Sequence, residues 1–375
     1  MEDLELTFDG AFRGRRVLVT GDTGFKGSWL AAWLHALGSD VHGLALPPPT
    51  EPSHFELLRL ASRIKHSDAD VRDLAAVRQA FHAAQPELVL HLAAQALVRP
   101  SYDDPKGTFD INVGGTVNVL EAVRQTPSVR AVVVITSDKC YDNREWDLSY
   151  RENDPLGGRD PYAASKAAAE LVTAAYRASF FHNPQRPVGI ATTRAGNVIG
   201  GGDWATDRLV PDCVRALSTG KPVLVRNPRS VRPWQHVLEP LCGYLQLSAS
   251  LLRDPSTHSQ AFNFGPVGAD SLPALELAQL FLDGWGAGEL EVASSSHNQP
   301  HEAGLLKLSS EKAVAQLGFK PLLEVREAVR WTVEWYRGWH EDRSGTGAWD
   351  RTVGQLRRYV ERAREARLSW AVTRH

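Results

Sequence analysis

The chain has 375 residues, of which 43% are hydrophobic and 23% charged, and a formal net charge of -2. This length suits one large α/β domain with a smaller companion lobe, and the near-neutral charge excludes the basic footprint of a nucleic-acid or membrane-surface binder. Cys140, Cys213 and Cys242 have neither CxxC nor zinc-type spacing, so they read as free thiols of a cytoplasmic protein with no metal site. The acidic start MEDLELTFDG lacks the apolar run of a signal peptide, and the longest apolar-rich stretch, Leu88 to Val98, is too short to span a bilayer.

In chain order, Arg15-Arg16-VLVT reads as a buried strand, followed at once by Gly21-Asp-Thr-Gly24-Phe-Lys26-Gly27 and then by a helical segment that ends at Gly38. Strand, glycine loop and helix N-terminus together make an anion site suited to a pyrophosphate. The glycines permit the tight turn and close approach, and Lys26 stands either near the phosphates or in solvent. The second strand, Asp40 to Leu46, ends without the acid that usually meets the adenosine ribose. No arginine follows to favour a 2′-phosphate, so the strand itself does not decide between NAD and NADP. Asp70 falls at a strand end where it could accept from an adenine amino group, and Asp73 is a helix N-cap. Glu87 to Gln95 is a further buried strand, whose Ala93 and Ala94 admit a cofactor closely. Pro105 to Arg124 reads as one long helix, with Asn112 inside it as a core or kink residue.

Ala131 to Ile135 is a buried strand that runs into Thr136-Ser137-Asp138-Lys139. Tyr162 and Lys166 follow on an Ala-rich helix, four residues apart and so on one face. A hydroxyl, a phenol and an ammonium can thus converge on one substrate oxygen. A phenol normally titrates near ~10, so Tyr162 acts as a base only with a cation beside it, and Lys166 is placed for that. Pro187 to Asp203 is another strand followed by a Gly-rich loop containing Asn197. The alternation of strands and helices predicts a doubly wound parallel sheet, a Rossmann fold, with ligands beyond the carboxyl ends of its strands. The division expected is residues 1–194 as the cofactor domain and 195–375 mainly as a smaller α/β substrate lobe, with interleaved segments. In that lobe VLV (223–225) and AFNF (261–264) read as short strands, Arg208, Arg226, Arg229 and Arg232 suit either a diphosphate or a solvated basic face, and the Arg-rich tail from Asp350 is a helix of mixed charge.

GDTGFKGSW, TSDKCY, YAASK and RAGNVIGGGDW together resemble the extended short-chain dehydrogenase/reductase family. RPWQHVLEPLCGYL and ALPPPTEPSHFELL resemble more narrowly its nucleotide-sugar dehydratases that act on CDP-glucose. The resemblance covers about Arg15 to Trp339 and implies a Rossmann domain holding NAD, a C-terminal sugar-nucleotide lobe and a homodimer formed through paired helices. It implies that Tyr162 takes the proton of the glucose C4 hydroxyl, that Ser137 hydrogen-bonds that oxygen, and that Lys166 holds the cofactor ribose. Asp138 matches the acid that protonates the departing C6 hydroxyl. Lys139 stands where dehydratases of dTDP-glucose carry Glu as the C5 base, so Lys139 is either that base or a stabiliser of the enolate. By the same matching Gly21, Gly24, Phe25, Lys26 and Gly27 line the pyrophosphate, and Asp70 and Val71 the adenine. Gln95, Asn197, Arg208 and Arg232 hold the sugar nucleotide, with His301 and Glu302 toward the cytidine. A 4-epimerase or a dehydratase for another nucleotide sugar is the neighbouring reading, and a non-catalytic NAD-binding scaffold the remote one. An epimerase has no use for an acid at Asp138, and a scaffold none for Ser137, Tyr162 and Lys166 together.

Overall fold

The computed structural model describes residues 2–181, 185–266, 271–293, 305–342 and 345–372. Seven strands form one sheet: β1 (Arg16–Thr20), β2 (Asp40–Ala45), β3 (Lys65–Asp68), β4 (Leu88–His91), β5 (Ala131–Ile135), β6 (Gly189–Ala195) and β7 (Ala261–Phe264). Their spatial order is β7-β6-β5-β4-β1-β2-β3, and every pairing is parallel. β4, β5 and β6 are buried along their whole length, as strands must be when helices cover both faces. The covering helices include α1 (Phe25–Ala36), α2 (Leu74–Ala84), α3 (Gly115–Gln125) and α4 (Pro161–Phe180). Asp73 caps α2 as expected, accepting from the Ala75 and Ala76 amides. Asp160 does the same for α4 through Ala163, with Pro161 in the first turn. The strand order reverses between β1 and β4, which opens a crevice beyond their carboxyl ends.

Two readings of the sequence need correction. The expected single helix from Pro105 to Arg124 is a short helix, Pro105–Phe109, then a π-helical turn, Asp110–Gly114, then α3. Asn112 lies in that turn, buried, and its side chain clamps two neighbouring segments; such turns are frequent at functional sites. AFNF, expected in the lobe, is instead β7, registered on β6 from Ala261 against Thr192 to Phe264 against Ala195. After β6 come α5 (Leu209–Ser218) and α6 (Leu238–Arg253); α6 packs on β5 and β6 and returns the chain to the sheet edge.

The rest of the second half holds α7 (Ala274–Trp285), α8 (Val325–Glu341) and α9 (Ala348–Glu365), with short strand pairs such as Val223–Val225 on Leu290–Val292. α7 packs on α5 and α8, and α9 reaches back to α1. The Arg-rich tail is therefore a packing helix: Tyr359 and Leu356 are fully buried with Trp29, Trp33, Trp331 and Trp335. Polar ties cross this core. His54 Nδ1 lies 2.8 Å from Ser28 Oγ and His54 Nε2 lies 3.1 Å from Thr352 Oγ1. On α6, buried Glu239 accepts from the Leu322 and Leu323 amides at 2.9 and 2.7 Å and from the Tyr359 hydroxyl at 2.8 Å. Cys140, Cys213 and Cys242 are buried free thiols. Among the described residues no helix is long and apolar enough to cross a membrane, and no cluster of His, Cys, Asp or Glu is arranged to hold a metal ion.

Candidate active site

The crevice at the switch point is a cavity of about 780 Å³ lined by residues from both halves of the chain. Its floor is the loop between β1 and α1. Gly21 has φ +76°, and a Cβ there would stand 2.7 Å from the Ala93 amide nitrogen. A Cβ on Gly27 would stand 2.0 Å from the Gly21 carbonyl oxygen. Only glycine fits either position, so loop, β4 end and helix N-terminus close on one another and leave backbone amides for a ligand. Gly24, Phe25, Val71, Ala93 and Ala94 line the same space. This floor fits the pyrophosphate and adenosine of NAD. β2 ends at Ala45, with Leu46 next, so no ribose acid comes from that strand. The Asp70 carboxylate lines the cavity but is already gripped by the Arg72 guanidinium at 2.9 and 2.6 Å, which holds it below the usual carboxylate range.

Beneath the loop lies a pair that the sequence did not signal. Asp22 is fully buried, 2.7 Å from His66 Nδ1, and His66 Nε2 is 3.2 Å from Asp68. Burial pushes the Asp22 carboxyl up, while the hydrogen bond to Asp22 raises His66. Lys26 is not confined to the phosphate loop. Burial and then Arg208 bring its ammonium down to about 8, with Asp138 and Asp203 pulling the other way.

β5 delivers the chemistry. Ser137, Asp138, Tyr162 and Lys166 are all buried and, with Lys139, line the cavity. Ser137 Oγ lies 3.1 Å from Asp138 Oδ1 and also hydrogen-bonds the Tyr162 phenol. Burial raises the Asp138 carboxyl, against the opposing pull of Lys139, Ser137, Arg232 and Lys26. Its Oδ2 is buried without a protein partner, beside Gly196. A carboxyl so placed can hold a proton and give it up. The Lys139 ammonium stands 6.0 Å from the centre of the Tyr162 ring.

One expected role shifts. Lys166 shares the α4 face with Tyr162, but its ammonium donates to the Ile135 carbonyl at 3.3 Å, and burial followed by Lys26 lowers it to about 8. Burial pushes Tyr162 up to about 12; the groups that pull it down are Ser137 and Arg208. Arg208, whose Nη1 donates to Asp203 at 2.9 Å, is a protein cation that favours the phenolate.

Gln95 is also corrected. It lines the cavity, but its amide is spent on the chain: Oε1 accepts from the Leu97 amide at 2.6 Å, and Nε2 donates to Leu97 O at 2.9 Å and Thr108 Oγ1 at 3.0 Å. It shapes the loop after β4. Asn112, read as a core residue, supports that loop from behind. It accepts from the Gln95 amide at 2.9 Å and donates to Gln95 O at 3.0 Å and Ser165 Oγ at 2.8 Å. Ser165 Oγ in turn donates to Tyr162 O at 2.7 Å. Asn197, Arg208, Arg226 and Arg232 line the opposite wall, while Arg229 is exposed off it. Arg226 pairs with Asp207 and with Asp212, and Arg99 stands 3.8 Å from Asp207. His301 and Glu302 lie outside the described residues. Missed by sequence reading were Asp203, partner of Arg208, and Trp204, both in the quoted GGGDW segment and both on the cavity wall.

Residues 18–251 match the family described as GDP-mannose 4,6 dehydratase. A CDP-glucose 4,6-dehydratase of Salmonella typhimurium is 48% identical over 332 residues, 88% of this chain and 92% of that protein. Among solved structures, the Thermus thermophilus UDP-glucose 4-epimerase in complex with NAD is 27% identical with a TM-score of 0.71, covering 86% of this chain and 99% of its own. A double mutant of the Streptomyces venezuelae dTDP-glucose 4,6-dehydratase with NAD bound is 25% identical with a TM-score of 0.73, covering 87% of this chain and 99% of its own. With more than half of its length matched and this sheet order, glycine loop and Ser–Tyr–Lys set, the chain belongs to the GDP-mannose 4,6 dehydratase family, on the extended short-chain dehydrogenase/reductase fold.

Proposed function

We propose that the protein is an NAD-dependent CDP-glucose 4,6-dehydratase, a hydro-lyase that forms CDP-4-keto-6-deoxyglucose and water. One observation carries the reading beyond the family: a buried carboxyl, Asp138, whose proton affinity burial raises and whose second oxygen is unpartnered, between Ser137 and Lys139 on the wall that bears Tyr162. An oxidoreductase or epimerase needs the Ser–Tyr–Lys set alone; expulsion of a hydroxyl needs an acid as well.

NAD, held by the loop of Gly21, Gly24 and Gly27, would supply the hydride acceptor for C4, the donor for C6 and a positive charge over the site. Tyr162 takes the C4 hydroxyl proton, helped by Ser137 and the Arg208 charge. The 4-ketone acidifies C5–H; Lys139 removes that proton, and Asp138 gives its own to the C6 hydroxyl, which leaves as water. C5 is reprotonated as C6 is reduced, so there is no net redox change. Lys166 orients the cofactor ribose. Asn197, Arg208, Arg226 and Arg232 hold the nucleotide diphosphate and sugar.

The working unit is a homodimer through α3 and α4, where α4 leaves Leu171 and Phe180 exposed at 61% and 51%, and its three free thiols suit a reducing cytoplasm. The deciding experiment incubates the purified protein with CDP-, dTDP-, UDP- and GDP-glucose in turn, with added NAD, under mass spectrometry. Loss of one water from CDP-glucose is the expected result. A sugar isomer of unchanged mass would replace the reading by an epimerase, and loss from a different nucleotide sugar would reassign the substrate.

A further inference from the structure

Behind the catalytic wall lies a buried carboxylate that the reaction scheme leaves unused. Glu170 follows Lys166 by one helical turn on α4, and its side chain is 3% exposed. Its Oε1 accepts from Thr136 Oγ1 at 2.5 Å; its Oε2 accepts from Thr192 Oγ1 at 2.7 Å and from Arg194 Nη2 at 2.8 Å. Arg194, 4% exposed at its side chain, is itself fixed, donating to Tyr141 Oη at 2.9 Å and to Glu152 O at 3.1 Å. Thr136 is the residue before Ser137, and its hydroxyl and amide also reach Thr193 O, at 3.0 and 2.8 Å. One carboxylate therefore ties α4, β6 and the start of the catalytic segment together.

The same carboxylate bears on Lys166. The i,i+4 spacing sets both on one helix face. Besides Tyr162 one turn earlier on the same face of α4, the titratable groups that bear on Lys166 are Lys26 from α1, His91 from the end of β4, Cys140 from the catalytic segment and Glu170 from its own helix. Burial keeps His91 neutral, at about 3, and pushes the Cys140 thiol well above its ordinary value. Lys26 opposes a second positive charge. Of the four, Glu170 supplies the negative one.

We propose that Glu170 is a positioning residue with two jobs: it locks the Thr136–Ser137 peptide against the Tyr162 helix, and it keeps the Lys166 amine protonated where the cofactor binds. Burial and Lys26 already bring Lys166 down to about 8, so loss of the Glu170 charge discharges it within the working pH range. The turnover half of the test rests on the proposed function; the cofactor half does not.

NAD is titrated into the whole protein by quenching of tryptophan fluorescence, since Trp204 and Trp234 line the cavity, from pH ~6 to ~10. The pH dependence of kcat on CDP-glucose is read in parallel. In Glu170→Gln, the alkaline pH at which NAD affinity and kcat decline moves down by about one unit, roughly tenfold less charged lysine at a fixed alkaline pH. At neutral pH kcat falls by ~10- to ~100-fold as the Ser137 segment loosens. Glu170→Asp keeps the charge and returns the alkaline decline to the wild-type pH, while kcat stays low. Thr136→Val lowers kcat with no change in that pH. An unmoved decline in Glu170→Gln, or the same displacement in Glu170→Asp, overturns the proposal. Should Glu170→Gln not fold, Glu170→Asp and Thr136→Val decide it: full kcat or a displaced decline in Thr136→Val, or a displaced decline in Glu170→Asp, overturns it. A wild-type protein that leaves CDP-glucose unchanged, alongside a Glu170→Gln protein with displaced NAD binding, would sink the substrate reading and keep this one.

Discussion

The two walls of the cavity are built from different materials. On the cofactor side backbone lies against backbone: the Cβ positions of Gly21 and Gly27 are 2.7 and 2.0 Å from main-chain atoms, and β1, β4 and β5 behind them are buried. On the substrate side charge lies against charge. Arg208 pairs with Asp203, Arg226 with Asp207 and Asp212, and Arg99 stands near Asp207, which holds φ +63°. A close-packed wall has one arrangement and fails when it is disturbed. The partly exposed pairs of Arg226 and Arg99 contribute about 1 kcal/mol or less each, and an arginine can trade a carboxylate for a phosphate. The first wall presents a fixed bed for an adenine dinucleotide; under the proposed function, the second lets go of its own carboxylates when a substrate diphosphate arrives.

That contrast is open to breaking, beginning with the rigid side. Gly27→Ala places a methyl carbon into the Gly21 carbonyl and should weaken NAD binding by at least ~100-fold, as read by calorimetry; retention of wild-type affinity would mean the loop yields. Tyr162→Phe should lower kcat by ~100- to ~10,000-fold while NAD still binds, and near-normal turnover would remove Tyr162 as the base. Glu239 tests the packed core that joins the halves. Burial, opposed by its hydrogen bonds from Tyr359, Leu322 and Leu323, holds its carboxyl at about 7 in the folded chain. Unfolded, it titrates near ~4.3. The folded state therefore binds the extra proton between these values, and stability falls as pH rises from about 4 to about 7, by up to ~3 kcal/mol. Glu239→Gln should remove that part of the slope in urea titrations at several pH values; an unchanged slope would show that other groups carry it. The substrate wall should respond least. Arg226→Met should raise KM for CDP-glucose by about tenfold, about 1.4 kcal/mol, with kcat little changed, whereas a collapse of kcat would show that this wall is as rigid as the other.

What the sequence made visible follows the same division. β1, its glycine loop and α1 are local: a run of apolar residues, a turn only glycine can make, and a helix, all contiguous. Ser137, Tyr162 and Lys166 were legible for a similar reason, since helix periodicity sets Tyr162 and Lys166 on one face. The losses came where partners are distant in sequence. AFNF is too short to announce that it pairs with β6 rather than with the lobe. The amide of Gln95 looked free for a sugar, but Leu97 and Thr108 take it, and only the fold brings Thr108 there. Arg208, which also favours the Tyr162 phenolate, lies 46 residues beyond Tyr162 in the chain. Nothing near Asp22 in the sequence pointed to His66.

The π turn at Asp110–Gly114 has a further consequence. It holds one residue more than an α-helical turn would, and that extra residue sets the rotation of everything after it by about 100°. Asn112 reaches both Gln95 and Ser165 because of this phase. Removing a single residue from the turn would yield a smoother helix and leave the hydrophobic face of α3 out of step with α2 and α4, while swinging the Asn112 amide away from both partners. The loop after β4 and the Tyr162 helix would then lose their common reference. An irregularity of one residue thus acts as the index mark by which the cofactor floor and the catalytic helix are aligned.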